Sequence, residues 1–543
     1  MTAPWWHGAT GYQVYPRSFC DSNGDGIGDI PGITSRLDHL AALGVGFVWL
    51  SPVYASPMAD MGYDISDYRA IAPEFGTLDD FDHLVAEAAR RDIRIVMDLV
   101  VNHTSDDHAW FHNALAGGDR RDFYIWRDPA PDGGPPNAMQ SVFGGPAWTR
   151  DPASGQYYFH QFTAQQPDLN WDNPAMRAEI TDMMTWWLDR GIGGFRLDVI
   201  DLIGKDVDRG ITTDGPDLHR HIAEIAQTWA GRDVLTVGEA WSVTPETAPL
   251  YCENLSMVFQ FAHVIAGWHP EHGKWHPLPR DWPALKRVLF EWQASDCWNS
   301  LFWGNHDLPR AVSAYGSRRH RVASARALAT VLHLMRGTPF IYQGEEVGMK
   351  NAAFSDLGQF RDVETLNLHR IRMAAGEDEA TFIAGANANG RDTSRTPVHW
   401  DAGPSGGFTT GTPWITLGAD PAEVNVAADR ADPMGVFARY STLTRLRRKH
   451  AIIREGDFTG LSVDDRQVMA YTRTLRGQVL AVVANLSDDP VTYDPPADLH
   501  AATHPLFDGE APVDLSRPSR SGHGSPSFSC PVPDTSPMAD VQL

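Results

Sequence analysis

The sequence predicts an α/β protein built on a (β/α)8 TIM barrel, with a small domain inserted after the third strand and an antiparallel β-domain at the C-terminus. Two observations predict the barrel. Eight short apolar runs alternate with helical patterns, and each run is continuously apolar, as in parallel strands buried on both faces. A third observation, the change to short alternating runs from about residue 455, predicts the antiparallel domain.

The predicted strands and helices follow one another in the order that a barrel requires. Repeated strand–helix–strand units are right-handed, and a count of eight strands favours a closed barrel over an open sheet. The predicted strands cover residues 11–19, 47–52, 94–103, 193–199, 233–240, 256–263, 299–307 and 338–346. The predicted helices cover residues 33–44, 79–92, 176–190, 217–230, 282–295, 323–336 and 434–450.

The alternation of strands and helices is interrupted once and stops before the C-terminus. Residues 104–172 are rich in Gly, Pro, Asp, Trp and Tyr without a clear helical pattern, so we expect a small inserted domain there. The barrel then comprises residues 1–103 and 173–454, and the C-terminal β-domain residues 455–543. Its last part, residues 516–537, is Ser- and Pro-rich and predicts a loosely ordered tail.

Charge and cysteine content argue against several classes of protein. A formal net charge of −24 argues against a nucleic-acid partner. The cysteines Cys20, Cys252, Cys297 and Cys530 form no CxxC pair, which predicts reduced thiols in a cytoplasmic protein rather than a disulfide framework or a zinc site. The N-terminus lacks a signal-peptide pattern and no apolar run is long enough to span a membrane, so we expect neither. We also expect a monomer without an organic cofactor.

Three carboxylates fall at the ends of predicted strands. Asp198 follows GFRL, Glu239 follows LTVG and Asp307 follows WGNH. In a (β/α)8 barrel the carboxyl ends of the strands carry the catalytic groups, so three strands deliver acids to one face. Glycoside hydrolysis needs this equipment, because one carboxylate attacks the anomeric carbon and another protonates the leaving oxygen. Arg196 lies two residues before Asp198, on the same face of its strand, and should keep that carboxylate ionised.

The segments DLVVNH, GFRLDVI, VGEAW and WGNHD resemble the four ordered signature regions of glycoside hydrolase family 13, the α-amylase family. The segments QGEEVGM, RDVETLN and RDTSRTPVHW resemble the oligo-1,6-glucosidase and dextran glucosidase branch of that family. The resemblance runs from about Trp5 to Trp400. It implies that Asp198 is the nucleophile, Glu239 the acid/base and Asp307 the transition-state stabiliser of a retaining mechanism.

The resemblance also implies which residues bind the sugar. His103 and His306 match histidines that bind the glucosyl hydroxyls. Within SPMADMGYDISDY, Asp60 would hold the hydroxyls of the non-reducing end and Tyr63 would stack on the ring. Arg391 would pair with Asp60 and close the pocket, which implies release of single glucose units from a chain end.

Three positions near these motifs are interpreted separately. Arg395 is the alternative to Arg391 as the partner of Asp60. Asp98 is expected to support the barrel rather than to touch sugar. Val199 directly follows the nucleophile, and in this branch a valine there goes with α-1,6 linkages, whereas threonine or alanine goes with α-1,4.

An oxygen-rich loop, DSNGDGIGD at residues 21–29, predicts a structural calcium site. It begins like an EF-hand, but its twelfth position is Gly32 instead of Glu and no helix precedes it, so it resembles the single-ion loop of oligo-1,6-glucosidases instead. The expected ligands are Asp21, Asn23, Asp25, the carbonyl of Ile27, and Asp29.

The sequence thus predicts a retaining, exo-acting α-glucosidase for short α-1,6-linked substrates such as isomaltose, and several alternatives stay open. Hydrolysis of the glucosyl-fructoses isomaltulose, trehalulose or sucrose fits the same catalytic set, and so does α-1,4-glucosidase activity. A sucrose isomerase would carry an Arg- and Asp-rich loop after the sixth strand, where this chain has FQFAHVIAGWHPEHGKW. Ala262 stands where close glucosidases usually carry an acid, which leaves acceptor specificity open. A distant alternative is a non-catalytic, amylase-like interaction protein, which would have lost the catalytic acids.

Overall fold

Eight short parallel strands form the central sheet of the computed structural model, and all eight lie within the predicted runs. The structure describes residues 3–494 and, beyond these, residues 496, 499, 504–505, 519–521 and 527–530, of which the last three segments are described by their backbone alone. The barrel strands are β1 (Gly11–Val14), β2 (Phe47–Leu50), β3 (Arg94–Leu99), β4 (Gly194–Leu197), β5 (Leu235–Glu239), β6 (Met257–Phe259), β7 (Ser300–Leu301) and β8 (Thr338–Tyr342).

The strands are ordered as a barrel. Consecutive strands pair in parallel from β1 to β6, β8 pairs with both β1 and β7, and the neighbours therefore run β6-β5-β4-β3-β2-β1-β8-β7. Val258 of β6 forms a parallel bridge with Asn299, the residue before β7, which brings the two ends of the sheet together. The predicted (β/α)8 fold is confirmed.

Side chains of each strand alternate between the barrel interior and the surrounding helices. Phe47 and Trp49 of β2 pack in one cluster with Val96, Val237 and Phe340, contributed by other strands, at the centre of the barrel. The intervening residues of β2, Val48 and Leu50, pack in a separate cluster with the helices. Burial on both faces explains why the strands are continuously apolar in sequence.

Every predicted barrel helix is present, and the chain provides their start signals. Thr77 and Asp80 form a capping box at the start of Leu78–Ala89, and Asn173 accepts two backbone N–H bonds in front of Pro174–Asp189. The first predicted helix is divided at Arg36 into two helices, which start a list of eight: Ile30–Ser35, Leu37–Leu43, Leu78–Ala89, Pro174–Asp189, Leu218–Ala226, Trp282–Gln293, Arg321–His333 and Val436–Lys449.

Further helices were not predicted, because most are short or lack a regular apolar stripe. The longest, Val363–Ala374 and Glu379–Asn389, lie in the long segment after β8, and Ala262–Ile265 replaces the end of the predicted strand 256–263. The others are Ala109–Leu115, Ala248–Cys252, Ala311–Tyr315, Val426–Ala431 and Ala451–Glu455.

The insertion after β3 contains Ala109–Leu115 and a three-stranded antiparallel sheet. The absence of a helix that we expected in residues 104–172 is therefore wrong for this segment, whose start is capped by the ring of His108 accepting from the Trp110 N–H. The sheet strands are Trp126–Arg127, Tyr157–Phe159 and Trp148–Arg150, in spatial order. A separate two-stranded sheet joins Tyr54–Ala55 to Asp67–Ile71.

The C-terminal part is an antiparallel β-structure, as predicted. The strands Asp457–Leu461, Val468–Leu475 and Gln478–Asn485 form successive antiparallel pairs. Ser527–Cys530 and His504–Pro505 extend the same sheet, and Val491–Tyr493 pairs with Ser519–Ser521. Most of the predicted tail at 516–537 lies outside the described residues, while its two described segments are strands rather than loose chain. The predicted domain boundaries at residues 103, 172 and 454 stay predictions.

One disulfide contradicts the expected reduced thiols. Cys252, at the end of Ala248–Cys252, is bonded to Cys297, and the two lie 45 residues apart in sequence. The sequence gave no spacing signal because the pair joins the segments after β5 and before β7, which become neighbours only when the barrel forms. Cys20 is a free, buried thiol. Within the part of the chain that the structure describes, no helix is long and apolar enough to cross a membrane.

Candidate active site

A cavity of about 580 Å³ opens at the carboxyl ends of the barrel strands, where the sequence predicts the reactive groups. Two of the ten residues predicted for catalysis and sugar binding, Arg196 and His306, are buried behind its wall. The other eight line the cavity: Asp60, Tyr63, His103, Asp198, Val199, Glu239, Asp307 and Arg391.

The local backbone delivers the three acids to this face. Asp198 directly follows β4, whose first residue, Gly194, has a φ of +136° and would place a Cβ atom 1.8 Å from the carbonyl oxygen of Leu235. Only glycine allows so close an approach between β4 and β5. Glu239 is the last residue of β5. Asp307 lies beyond β7, in a turn where its N–H donates to Oδ1 of Asn305 at 2.8 Å.

Arg196 joins three carboxyl groups at the centre of the site. Its Nη1 lies 2.8 Å from Oδ1 of Asp98 and 2.6 Å from Oδ1 of Asp198. Its Nη2 donates to Oε2 of Glu239. The guanidinium is 1% exposed, so these contacts are made out of water and fix the two predicted catalytic carboxylates relative to each other.

Burial dominates the protonation of this cluster. It raises the pKa of Asp198 well above its ordinary range; Arg196 opposes the shift, and the carboxyls of Glu239 and Asp98 add to it. Burial also raises the pKa of Asp98 to about 6. Arg196 contacts Asp198 as predicted, but one guanidinium shared by three buried carboxyls does not outweigh burial. Protons taken up here belong to the cluster as a unit.

Glu239 is also held by two donors beyond Arg196. The N–H of Val199 donates to Oε2 at 3.1 Å, and Nε1 of Trp241 donates to Oε1 at 3.0 Å. Both oxygens are therefore oriented, which leaves little freedom for the carboxyl to turn away from the cavity.

Val199 itself adopts a left-handed backbone conformation, with φ +36° and ψ +48°. This is an outlier for a β-branched residue, and such strain costs on the order of 1–3 kcal/mol. The conformation turns the chain sharply between Asp198 and the 3-10 helix Ile200–Leu202, and it brings the Val199 N–H to Glu239. Its side chain lines the cavity next to the predicted nucleophile.

Asp307 lies among cationic groups. Its Oδ1 is 2.5 Å from Nη2 of Arg395 and 3.6 Å from Nη1 of Arg391, and its Oδ2 is 3.2 Å from Nε2 of His306. Burial acts to raise the pKa of Asp307, but His306, Arg395 and Arg391 together hold it well below its ordinary value. Burial lowers the pKa of His306 to about 3, so its ring is neutral near pH 7 and the two guanidinium groups keep Asp307 ionised.

Asp60 and Arg391 form the ion pair that the sequence predicts. Nη2 of Arg391 donates to Oδ1 of Asp60 at 3.0 Å, while Nε2 of Gln166 donates to Oδ2 at 3.1 Å. Burial raises the pKa of Asp60 to about 6, although Arg391 and Arg395 lower it. Arg395, the alternative partner, contacts Asp307 instead.

The aromatic and imidazole side chains around the acids form one packed group. Tyr63 stacks on His306 with ring centroids 5.2 Å apart, and its hydroxyl donates to Oδ2 of Asp98 at 3.0 Å. Asp98 thus braces Tyr63 and Arg196, as expected of a residue that supports the barrel. His103 contacts the carbonyl oxygen of Tyr63 through Nε2 at 2.9 Å, and burial lowers its pKa to about 4.

Several residues of the site were not predicted. Asp362 accepts from Nε of Arg391 at 2.8 Å, and Glu364 accepts from Nζ of Lys274 at 2.7 Å. Both lie in RDVETLN, a motif quoted above without roles for its acids. Phe143, from the insertion, lies 4.7 Å from the Arg391 guanidinium. These residues come from segments without strand signals, so only the resemblance pointed to part of them.

The predicted calcium loop is closed by its own hydrogen bonds. Asp21 accepts from the N–H groups of Asn23, Gly24 and Gly26, and the side chains of Asn23 and Asp25 each accept one backbone N–H. Asp29 accepts from Ser22 and caps Ile30–Ser35. Among the described residues, no group of three or more His, Cys, Asp or Glu side chains is arranged to hold a metal ion. Calcium stays a prediction that rests on the donor types, including the Ile27 carbonyl.

Comparisons with known proteins agree with the fold and with the arrangement of the acids. The family model of the alpha amylase catalytic domain matches residues 13–456. A palatinase from Erwinia rhapontici is 50% identical over 514 residues, which cover 92% of this chain and 93% of the relative. An oligo-1,6-glucosidase from Halalkalibacterium halodurans is 47% identical over 525 residues, with coverages of 92% and 93%. The crystal structure of trehalose-6-phosphate hydrolase from Bacillus licheniformis superposes with a TM-score of 0.88 at 41% identity and covers 97% of this chain and 99% of that one.

Proposed function

The chain belongs to the α-amylase family of glycoside hydrolases, and on that premise we propose that it is a retaining, exo-acting α-glucosidase that releases glucose from short α-1,6-linked substrates. One observation carries the proposal: three carboxylates and the Asp60–Arg391 ion pair line a single cavity. The carboxylates supply the chemistry of glycoside hydrolysis, and the ion pair supplies fixed polar groups for one sugar ring.

The proposed reaction has two displacements. Asp198 attacks the anomeric carbon while Glu239 gives a proton to the glycosidic oxygen, so the bond to the leaving sugar breaks as the glucosyl–Asp198 ester forms. Glu239, now ionised, takes a proton from water, which attacks the ester and releases glucose with retained configuration. Retaining enzymes need the two carboxyls roughly 5 Å apart, and a common contact with one guanidinium favours such a spacing.

Asp307 and Arg196 have supporting roles in this proposal. Asp307, kept ionised by Arg395 and Arg391, stabilises positive charge on the sugar ring in the transition state. Arg196 offsets the negative charge that passes between Asp198 and Glu239 as the proton moves. Tyr63 and His103 line the cavity beside Asp198, where a glucosyl ring would contact them.

Exo action is supported by the Asp60–Arg391 pair. Both charged groups are buried and point to the same cavity as the acids, so they are available to bind hydroxyls of a terminal glucose. Phe143 lies against the guanidinium and restricts its movement. A bound terminal ring would leave the rest of the substrate to extend toward the other wall, which includes Trp268, Lys274 and Arg372.

Linkage preference is supported by Val199 and by the relatives. A valine lines the cavity next to the nucleophile, and one relative at 47% identity is named an oligo-1,6-glucosidase. The relative named palatinase, at 50% identity, favours a second candidate: hydrolysis of isomaltulose (palatinose), a glucosyl-fructose with the same type of bond. Sucrose isomerisation, α-1,4 hydrolysis and a non-catalytic role have less support, since all three acids are present and no Arg- and Asp-rich loop follows β6.

A substrate panel tests the proposal. Purified protein is assayed for glucose release from isomaltose, panose, dextran, maltose, sucrose, isomaltulose and trehalulose, with Asp198→Asn as the inactive control. The proposal expects the highest kcat/KM on isomaltose or panose. Highest activity on isomaltulose would select the second candidate, and no glucose from any α-glucoside would reject both.

Three further points belong to the proposal. Calcium at residues 21–29 would be structural and is supported by the oxygen donors of the loop. A monomeric state is supported by the completeness of the cavity within one chain. A cytoplasmic location is proposed from composition, and the Cys252–Cys297 disulfide counts against it, because disulfides are rare in reducing compartments. Size-exclusion chromatography and cell fractionation test the last two.

A further inference from the structure

A buried carboxyl group with no part in the reaction lies directly behind the proposed acid/base. Asp201 belongs to the 3-10 helix Ile200–Leu202, three residues after the proposed nucleophile, and is 1% exposed. All its printed side-chain contacts are made through one oxygen. Oδ2 accepts from the N–H of Trp241 at 3.0 Å, from the N–H of Ser242 at 3.2 Å and from Oγ of Ser242 at 2.7 Å.

These three bonds hold the segment that follows β5. Trp241 is two residues beyond Glu239, and its indole turns back so that Nε1 donates to Oε1 of Glu239 at 3.0 Å. The backbone N–H of the same residue is the group that Asp201 fixes. A continuous chain of contacts therefore runs from Asp201 through Trp241 to Glu239.

The face of the indole is held as well. The Trp241 ring stacks on Phe261, with centroids 3.8 Å apart and an interplanar angle of 8°. Trp268 lies 5.8 Å away at a tilt of 31°. With its backbone tied to Asp201 and its face against Phe261, the indole has little freedom except along the direction of its bond to Glu239.

Electrostatics couple the two carboxyls at the ends of this chain. Burial raises the pKa of Asp201 to about 7; the bonds from Ser242 lower it, and the charges of Glu239 and Asp214 raise it further. Oδ1 of Asp201 is buried without a hydrogen-bond partner, which suits a carboxyl that carries a proton for part of the pH range. Each group makes ionisation of the other less favourable.

We propose that Asp201 is a positioning residue, which aligns the Trp241 indole on Glu239 and thereby sets the orientation and the proton affinity of the acid/base. The inference rests on the proposed glucosidase function. A hydrogen bond donated to a carboxylate stabilises its ionised form, so the Trp241 bond lowers the pKa of Glu239, and a nearby negative charge on Asp201 raises it. The two residues should therefore shift the alkaline limb of activity in opposite directions.

Three variants separate these effects. Trp241→Phe keeps an aromatic ring for Phe261 but has no Nε1–H. Asp201→Ala removes the anchor of the loop, whereas Asp201→Asn keeps a carbonyl oxygen for the same three donors and removes the charge. Asp429→Ala is the matched control, because Asp429 is a buried carboxyl that likewise accepts backbone N–H bonds, from Val436 and Phe437, far from the cavity.

Each variant is assayed on isomaltose and on 4-nitrophenyl α-glucoside, whose good leaving group needs little protonation. Trp241→Phe and Asp201→Ala should lose roughly ten-fold more kcat on isomaltose than on the aryl glucoside. Asp201→Asn should restore most of that difference. The alkaline limb of kcat/KM should move to higher pH in Trp241→Phe and to lower pH in Asp201→Asn, while Asp429→Ala should change only the melting temperature.

Equal losses of Asp201→Ala on both substrates with unmoved pH limbs would overturn the proposal and make Asp201 a structural brace. So would an Asp201→Asn variant as impaired as Asp201→Ala. Failure of the underlying function is distinguishable, because the wild-type protein would then release glucose from neither substrate.

Discussion

Arg391 donates from Nη2 to Oδ1 of Asp60 at 3.0 Å, although the two residues are 331 positions apart in the chain and both are buried. The pair brings together the loop after β2 and the segment after β8. Asp362 contacts the same guanidinium, so one cation satisfies two buried carboxylates at the edge of the cavity.

Removing the cation of this pair should damage both binding and folding. In Arg391→Ala, Asp60 and Asp362 stay buried without their partner, which should lower the free energy of unfolding by about 3–5 kcal/mol. Loss of a charged hydrogen-bonding group for the sugar should lower kcat/KM by roughly a hundred-fold. Thermal unfolding and kinetics on isomaltose measure the two effects. Arg372→Ala is the control, since Arg372 lines the same cavity but pairs with the partly exposed Glu377.

The residue beside the nucleophile should tune linkage preference. Val199→Thr keeps the branched Cβ and the left-handed backbone, so the melting temperature should stay within a few degrees of the wild type. A hydroxyl in place of a methyl group changes the cavity wall next to the glycosidic bond, and the ratio of kcat/KM for isomaltose to that for maltose should fall. An unchanged ratio would remove Val199 from the explanation of specificity.

Protonation of Asp60 should set a limit at acidic pH. Its pKa is raised to about 6, so the carboxylate is ionised above that value and can pair with Arg391 and accept sugar hydroxyls. Below it the proton removes the charge, and kcat/KM on isomaltose should fall as the pH decreases through 6. Asp60→Asn should give lower values that no longer change across this range. A limb that persists in Asp60→Asn would assign it to the cluster of Asp98, Asp198 and Glu239 instead.

Calcium should affect stability and not rate. If the loop at residues 21–29 binds the ion, added calcium should raise the melting temperature and a chelator should lower it, because the ion binds only the folded state. Rates measured below the melting transition should be equal in both conditions. Asp25→Ala should abolish the calcium response. No response in the wild-type protein would leave the loop as one closed by its own hydrogen bonds.

Much of the fold could be predicted because burial on both faces gives the barrel strands a continuous apolar signal, as in FVWL of β2 and TPFIY of β8. The helices Val363–Ala374 and Glu379–Asn389 carry no such signal. Few of their residues are buried, and their apolar residues do not repeat along one face. The disulfide was missed for a different reason, since Cys252 and Cys297 become neighbours only through barrel closure.

The candidate site shows the same division. Asp198 and Glu239 could be found because each ends a strand with a clear pattern, and their shared face follows from barrel geometry. Gln166 and Trp241 could not, because their contacts with Asp60 and Glu239 depend on loop conformations that no local pattern specifies. The protonation of Asp198 was also beyond the sequence, since it depends on burial and on three carboxyls meeting at Arg196.

The most direct test of the proposed mechanism follows the anomeric configuration of the first glucose released. Isomaltose is hydrolysed in an NMR tube, with Asp198→Asn as a folded control that should be inactive. A retaining reaction through Asp198 predicts that α-glucose appears first and converts to the β-anomer only by mutarotation. Initial release of β-glucose, or near-normal turnover by Asp198→Asn, would contradict the assignment of Asp198 as the nucleophile.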